Sequence, residues 1–246
     1  MLKHPTNQKL EQLGLTGMLR ALEQQNNLEN AGTLTFEDRL ALLVDAEYSE
    51  RDTANFVKRL RSAKLRDNAC IEDIKFRAGR GIDKRLIAQL ADGQWLVEHR
   101  NVLITGKTGV GKTYIACALG QKACRLNSSV LYYRAPRFFQ ELTLARLKNT
   151  YTSALNKLKK ARLLILDDFA LVPITEEQCR DMLEVTDDRS GTGSFIISSQ
   201  LPVKQWYQTF ANATLADAIL DRVVHRSYRL ELSGPTCRDP ENELNA

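Results

Sequence analysis

The chain has 246 residues, 43% hydrophobic and 26% charged, with a formal net charge of +5. That length fits one large domain, or one domain with a small appendage, and supplies enough apolar residues for a sizeable core. No apolar run approaches the ~18 residues of a membrane-spanning helix, and five cysteines in no CxxC pair argue against a disulfide framework or a zinc site.

The first residues, MLKHPTNQKLEQ, lack the apolar centre of a secretion signal. With reduced thiols, that places the expected protein in a cytoplasm. LEQLGLTGMLRALEQQ carries Leu10, Leu13, Met18 and Leu22 at helical spacing. Thr35 followed by Glu37 and Asp38 reads as a capped start for a helix through RLALLVDAEY, and ERDTANFVKRLRSAKLR continues it as a basic helix. RAGRGIDK, around Gly79 and Gly81, is the predicted hinge. The expected organisation is a small all-helical N-terminal domain over residues 1–90 and a second domain over 91–246.

From about residue 95 short apolar strands alternate with helices. NVLITG, SVLYYRA, RLLILDD, SFIISSQ and YRLEL read as strands. Between them TYIACALGQKACRLN, RFFQELTLARLKNTYTSALNKLKKA opened by Pro136, TEEQCRDMLEVTDDR, VKQWYQTF and TLADAILDRVVHR read as helical. Such alternation implies an α/β fold: a five-stranded parallel sheet with helices on both faces. Ligands of such sheets bind outside the carboxyl ends of the strands. Trp95 and Trp206 read as packing aromatics; His99 and His225 keep basic company that suits no metal.

GKTGVGKT, residues 106–113, fits G-x-x-x-x-G-K-[ST] in full, with an apolar strand before it and a helix after it. Gly106, Lys107, Thr108, Gly109, Val110 and Gly111 form a loop whose amides cradle phosphate. The start of the following helix, through Tyr114, adds its partial positive charge. Lys112 reaches the terminal phosphates of ATP, and the Thr113 hydroxyl holds Mg²⁺. The second signal is LLILDDF, where a buried apolar run ends in Asp167 and Asp168. Two adjacent carboxylates at a strand end are costly unless cations wait there. Asp167 then completes the Mg²⁺ site. Asp168 is left to aim a water at the γ-phosphate, an arrangement suited to a hydrolase.

GKTGVGKT and LLILDDF resemble an AAA+ ATPase. More narrowly, NVLITGKTGVGKTYIACALG, LLILDDFAL, FIISSQLPVKQW and LADAILDRVVHRSYRLELSG resemble the IstB-type transposition helpers of bacterial insertion sequences, relatives of the DnaC and DnaI helicase loaders. The resemblance implies an AAA+ P-loop core, a γ-phosphate sensor at the end of FIISSQ for which Ser199 and Gln200 are the candidates, and a homo-oligomer with ATP at subunit interfaces; Asp168, one methylene shorter than Glu, predicts slow ATP hydrolysis, as a switch. Implied partners are double-stranded DNA and the transposase encoded by the same element. Arg222 matches an arginine finger acting on a neighbour's nucleotide, with Arg226 as substitute; the plainer reading pairs Arg222 with Asp217 or Asp221. After YRLEL little chain remains for a helical lid, so Arg238 is the only basic residue there to stand in for its sensor.

Charge is unevenly spread. Residues 51–85 carry net +6 and residues 134–162 net +7, whereas residues 1–50 carry net −4 and residues 163–246 net −7. The basic blocks, Lys157, Lys159, Lys160 and Arg162 among them, suit either a DNA backbone or solvated helix faces. Alternatives within the same chemistry and outside it are a helicase loader, a nucleotide-gated scaffold without turnover, and a small-molecule kinase. The absence of an Arg-rich lid counts against the kinase.

Overall fold

The computed structural model describes residues 4–27, 34–76 and 79–237. The chain divides into two compact units, with the boundary between Lys58 and Arg59.

The first unit is helical. It holds α1 (Pro5–Gln12), α2 (Thr16–Asn26) and the larger part of α3 (Phe36–Ala63). The single amphipathic pattern over residues 10–25 is split into two helices rather than one. The split has a local cause: the Glu47 carboxylate of α3 accepts from the backbone N–H groups of Gly17 (2.8 Å) and Met18 (3.2 Å). Those amides can be capped only if a helix starts there. Helix α3 starts as its sequence predicts, with the Asp38 N–H donating to the Thr35 hydroxyl at 3.2 Å.

The second unit begins earlier than residue 90. Ala63 and Ala69 are fully buried, and the Arg59 guanidinium donates to the Cys124 carbonyl at 3.0 Å. The segment after α3 therefore packs with the α/β part, through a short 3₁₀ turn (Ile71–Asp73), α4 (Lys84–Asp92) and α5 (Gln94–Val97). There follow β1 (Asn101–Gly106), α6 (Lys112–Arg125), β2 (Val130–Arg134), α7 (Ala135–Leu147), α8 (Tyr151–Lys160), β3 (Leu163–Phe169), α9 (Glu176–Arg189), β4 (Ser194–Ser199), α10 (Val203–Trp206), α11 (Ala213–Val224) and β5 (Ser227–Leu232).

The five strands form one parallel sheet in the order β2-β3-β4-β1-β5. The central strands are buried along their length, as covered parallel sheets require. β1 and β3, both ending in polar motifs, flank β4, so their carboxyl ends open on one crest.

The long helix expected after Pro136 is broken between α7 and α8, where Asn149 takes φ 54°. The break lets Arg146 and Tyr151, one on each side, converge on Oδ1 of the buried Asp181 in α9; the Tyr151 hydroxyl donates at 2.7 Å. A straight helix would carry one of the two past its partner. Arg189 is also fully buried, and donates to the carbonyls of Ala161 (2.6 Å) and Ser194 (2.8 Å), tying the end of α8 to the start of β4. Burial pulls its pKa down to about 10. Trp206 is buried edge-on against Phe169 at 5.1 Å between centroids, and Trp95 donates to the Leu90 carbonyl at 2.8 Å.

Candidate nucleotide-binding site

The loop between β1 and α6 turns back on itself through Gly109 (φ 87°) and Gly111 (φ 98°), a conformation that side chains strain to adopt. Its amides thereby lead into the N-terminus of α6, where a phosphate finds both donors and a favourable dipole. Lys112 is buried, and its ammonium folds over the loop to donate to the carbonyls of Gly106 (2.7 Å) and Lys107 (2.8 Å). The Thr108 hydroxyl donates to the Gln200 side chain at 2.9 Å, joining the loop to the end of β4.

Opposite the loop stands Asp167, fully buried. Its Oδ2 accepts from the hydroxyls of Thr113 (2.8 Å) and Tyr132 (2.7 Å), and its Oδ1 accepts from Ser198. A buried carboxylate needs such donors in place of water. Burial, reinforced by the Asp167 charge, pushes the Tyr132 hydroxyl well above the usual phenol range, so it stays protonated and donating. The Thr113 hydroxyl beside the Asp167 carboxylate is a pair of hard oxygen donors. That suits Mg²⁺, which binds through one or two protein oxygens together with phosphate and water.

The doublet of carboxylates works because β3 is not regular at its end. Pairing runs Leu166↔Ile197 and then Phe169↔Ser199, so β3 holds one extra residue there. In a regular strand Asp167 and Asp168 would point to opposite faces. The bulge, with Asp168 at φ 56° and Ala170 at φ 56°, turns Asp168 onto the crest as well. Strained non-glycine residues of this kind collect at functional sites. The Arg134 guanidinium at the end of β2 engages Oδ2 of Asp168 through Nε and Nη2, each at 2.9 Å. These are the cations and donors that two adjacent acids require.

The cleft between the loop and the crest has a volume of about 510 Å³. Of the sequence-predicted residues, Thr108, Gly109, Gly111, Lys112, Thr113, Tyr114, Asp168 and Gln200 line it. Asp167 lies directly behind Thr113. Ser199 does not line it: its hydroxyl is buried and donates to the Phe169 carbonyl at 2.7 Å. Of the two sensor candidates, only Gln200 faces the space a phosphate would enter.

Arg222, at the end of α11, is not part of its own chain's cleft. It pairs with Asp187 of α9 rather than with Asp217 or Asp221, and donates to the Ala218 carbonyl at 2.7 Å. The side chain of Asn101 holds this helix end by donating to the carbonyls of Arg222 (3.2 Å) and Val223 (2.9 Å). Arg226 is exposed just beyond. Arg238 lies outside the described residues. In the second basic block, Lys159 pairs with Asp188 at 3.1 Å and Lys157 donates to the Tyr133 hydroxyl at 3.3 Å, while Lys160 and Arg162 are exposed.

Sequence reasoning passed over Tyr132, Arg134 and Ser198, and over Arg66, Asp67, Leu171 and Cys237, which also line the cleft. For Tyr132 and Arg134 a signal existed: VLYYR ends one strand away from the two acids. It becomes legible only once β2 is known to neighbour β3.

Comparison with known proteins agrees with this geometry. A family model described as IstB-like ATP binding protein matches residues 8–244. An insertion sequence ATP-binding protein of Sinorhizobium fredii, y4pL, is 46% identical over 238 residues, which covers 97% of each chain. Among solved structures, DnaI superposes with a TM-score of 0.58 at 21% identity, covering 72% of this chain and 93% of that one. The DnaC helicase loader gives 0.56 at 17%, covering 70% of this chain and 100% of that one. At such identities the likeness is one of fold, an AAA+-like α/β sheet. No described helix is long and apolar enough to cross a membrane.

Proposed function

This chain belongs to the IstB-like family of ATP binding proteins, and from that premise we propose that it hydrolyses ATP slowly, as a switch that assembles copies of itself on double-stranded DNA for a transposase. The observation that carries the reading is the pair of acids at the end of β3. One is locked to the Thr113 hydroxyl, and the other is turned by the bulge toward the same cleft.

Each residue then has a task. The loop amides and Lys112 hold the phosphates, the ammonium exchanging the carbonyls of Gly106 and Lys107 for phosphate oxygens. Thr113 and Asp167 would hold Mg²⁺, which when bound would offset phosphate charge. Arg134 takes Oδ2 of Asp168 and so assigns the attacking water to Oδ1. Asp is one methylene shorter than Glu, about 1.5 Å of reach. A water held that much less well costs rate, which suits a timer better than a motor. Gln200, bonded to the loop through Thr108, senses the γ-phosphate. Arg222 exchanges Asp187 for the nucleotide of a neighbouring copy, so ATP sits at subunit interfaces.

The insertion-sequence name of the Sinorhizobium relative supports a transposase as partner. The two basic blocks support duplex DNA: they lack the regular aromatic interleaving of single-strand platforms. Phosphate contacts of this kind position a protein with little sequence preference. The test is a filter-binding series on duplex DNA with ATP, ADP or no nucleotide, alongside phosphate release with Mg²⁺ or EDTA. The expected result is Mg²⁺-dependent turnover and salt-sensitive duplex binding that requires ATP. Equal binding without ATP, or no phosphate release under any condition, would overturn the reading; preference for single strands would favour a helicase loader.

A further inference from the structure

The cleft has a contributor that lies far from both motifs in sequence. Arg66 and Asp67 line it although they belong to the segment that follows α3. Their backbone is mounted on α6. Lys64 leaves the helix at φ 53°, and Ala63 and Ala69 on either side are fully buried. Leu65 rests against Gly120 so closely that a Cβ there would come within 3.0 Å of its Cδ2. Burial pushes the pKa of the Cys117 thiol up to about 11, and the backbone of Asp67 and Arg66 nearby opposes that rise. Cys117 and Gly120 are one helical turn apart on α6, the helix that starts at Lys112.

By contrast with this fixed backbone, the side chain of Arg66 is exposed; partial desolvation lowers its pKa, but Tyr132, Asp67 and Asp167 outweigh that and hold it above the usual guanidinium value. It shares the cleft with Lys112, Thr113 and Asp168. The other guanidinium lining the cleft, Arg134, is held by Asp168. Among the described residues Arg66 makes no ion pair. A long cationic arm on a packed segment, in the same cleft as the phosphate loop, can report the charge bound there.

We propose that Arg66 is a nucleotide-contacting residue that donates to the γ-phosphate within its own subunit and makes the site prefer ATP to ADP. The inference rests on the ATP-binding reading of this cleft. Lys112 and the loop hold phosphates that both nucleotides share, whereas Arg66 gains a partner only from the third. It also removes Arg66 from the basic block of residues 51–85 as a DNA contact. The nucleotide state is thereby reported to the chain just after α3.

The test is equilibrium binding of fluorescent ATP and ADP analogues, with Mg²⁺, to the full chain and to R66A, R66K, Y132F and K112A. One charge-assisted contact corresponds to about a 10-fold or larger loss of ATP affinity in R66A, with ADP affinity unchanged. R66K should recover part of the loss, because an ammonium supplies charge without the planar fork. Y132F removes the hydroxyl beside the arm but keeps the ring. It should weaken the preference for ATP less than R66A does, and it stands in should R66A fail to fold. Equal losses for ATP and ADP in R66A would mean a structural role and overturn the proposal, as would unchanged affinity for both. Failure of the underlying reading looks different: the unaltered chain would then bind neither nucleotide, or K112A would bind both as well as it does.

Discussion

The two walls of the cleft are built in opposite ways. The phosphate loop is one contiguous stretch, Gly106–Thr113, folded by its own glycines between β1 and α6. The facing wall is assembled from the ends of three strands, with Arg134 from β2, Asp167 and Asp168 from β3, and Ser198 from β4 with Gln200 just beyond it. The first wall can bind phosphate wherever a strand-loop-helix forms. The second exists only when the sheet order is right and the bulge in β3 is in place. Under the proposed function, binding falls to the local wall and chemistry to the assembled one.

Four experiments would break or sharpen that assignment. The largest effect should come from a residue in neither wall. R222A should leave nucleotide binding by isolated subunits intact and cut turnover of the assembly by roughly 10³-fold, the lower range for an arginine finger. Mixing R222A with K112A subunits should restore some phosphate release, since one mixed interface keeps both groups. No restoration at any ratio would place Arg222 outside the reaction.

K112A attacks the local wall. Several charge-assisted contacts to phosphate go at once, so affinity for ATP and ADP alike should fall by about 10²-fold or more. Titration with a fluorescent analogue measures it, and micromolar-range binding retained by K112A would show that the loop is not the site.

D168N attacks the assembled wall. It keeps shape but loses the charge that orients water, so turnover should drop by about 10²-fold with ATP affinity preserved. The protein should then remain locked on DNA in ATP. Near-normal phosphate release would move the water-positioning role to another carboxylate.

The smallest effect separates two neighbours. Q200A should slow turnover by about 10-fold, in the range of one lost hydrogen bond. S199A should leave kinetics within twofold, because its hydroxyl serves the Phe169 carbonyl, and should instead lower the unfolding midpoint. The reverse pattern would return the sensor to Ser199.

Much of this protein was legible from local pattern. The alternation of strand and helix from residue 95, the loop Gly106–Thr113 and the double acid at the end of β3 are short-range features, each decided by residues within a few positions of one another. Local chemistry also wrote the Thr35 start of α3 and the Thr175 capping box of α9. What local pattern missed has a common cause: a partner distant in sequence. The α1–α2 break needs Glu47, and the α7–α8 break needs Asp181. The unit boundary falls between Lys58 and Arg59, and beyond it Arg59 bonds the Cys124 carbonyl and Leu65 rests on Gly120, both of α6.

The same division runs through the site. From the sequence alone Asp167 and Asp168 had expected tasks, at Mg²⁺ and at a water, but of the protein groups beside them only those of the phosphate loop were legible. Tertiary structure set Thr113, Tyr132 and Ser198 around the first, and Arg134 against the second. It likewise buried Ser199 and left Gln200 lining the cleft, gave Arg222 to Asp187, and brought Arg66 to the cleft. Helix starts, turns and phosphate loops depend on torsions and hydrogen bonds within one or two turns of chain, so residue order suffices to specify them. The solvation of a buried charge depends on whichever groups the sheet order places within about 3 Å of it, and no spacing along the chain encodes that.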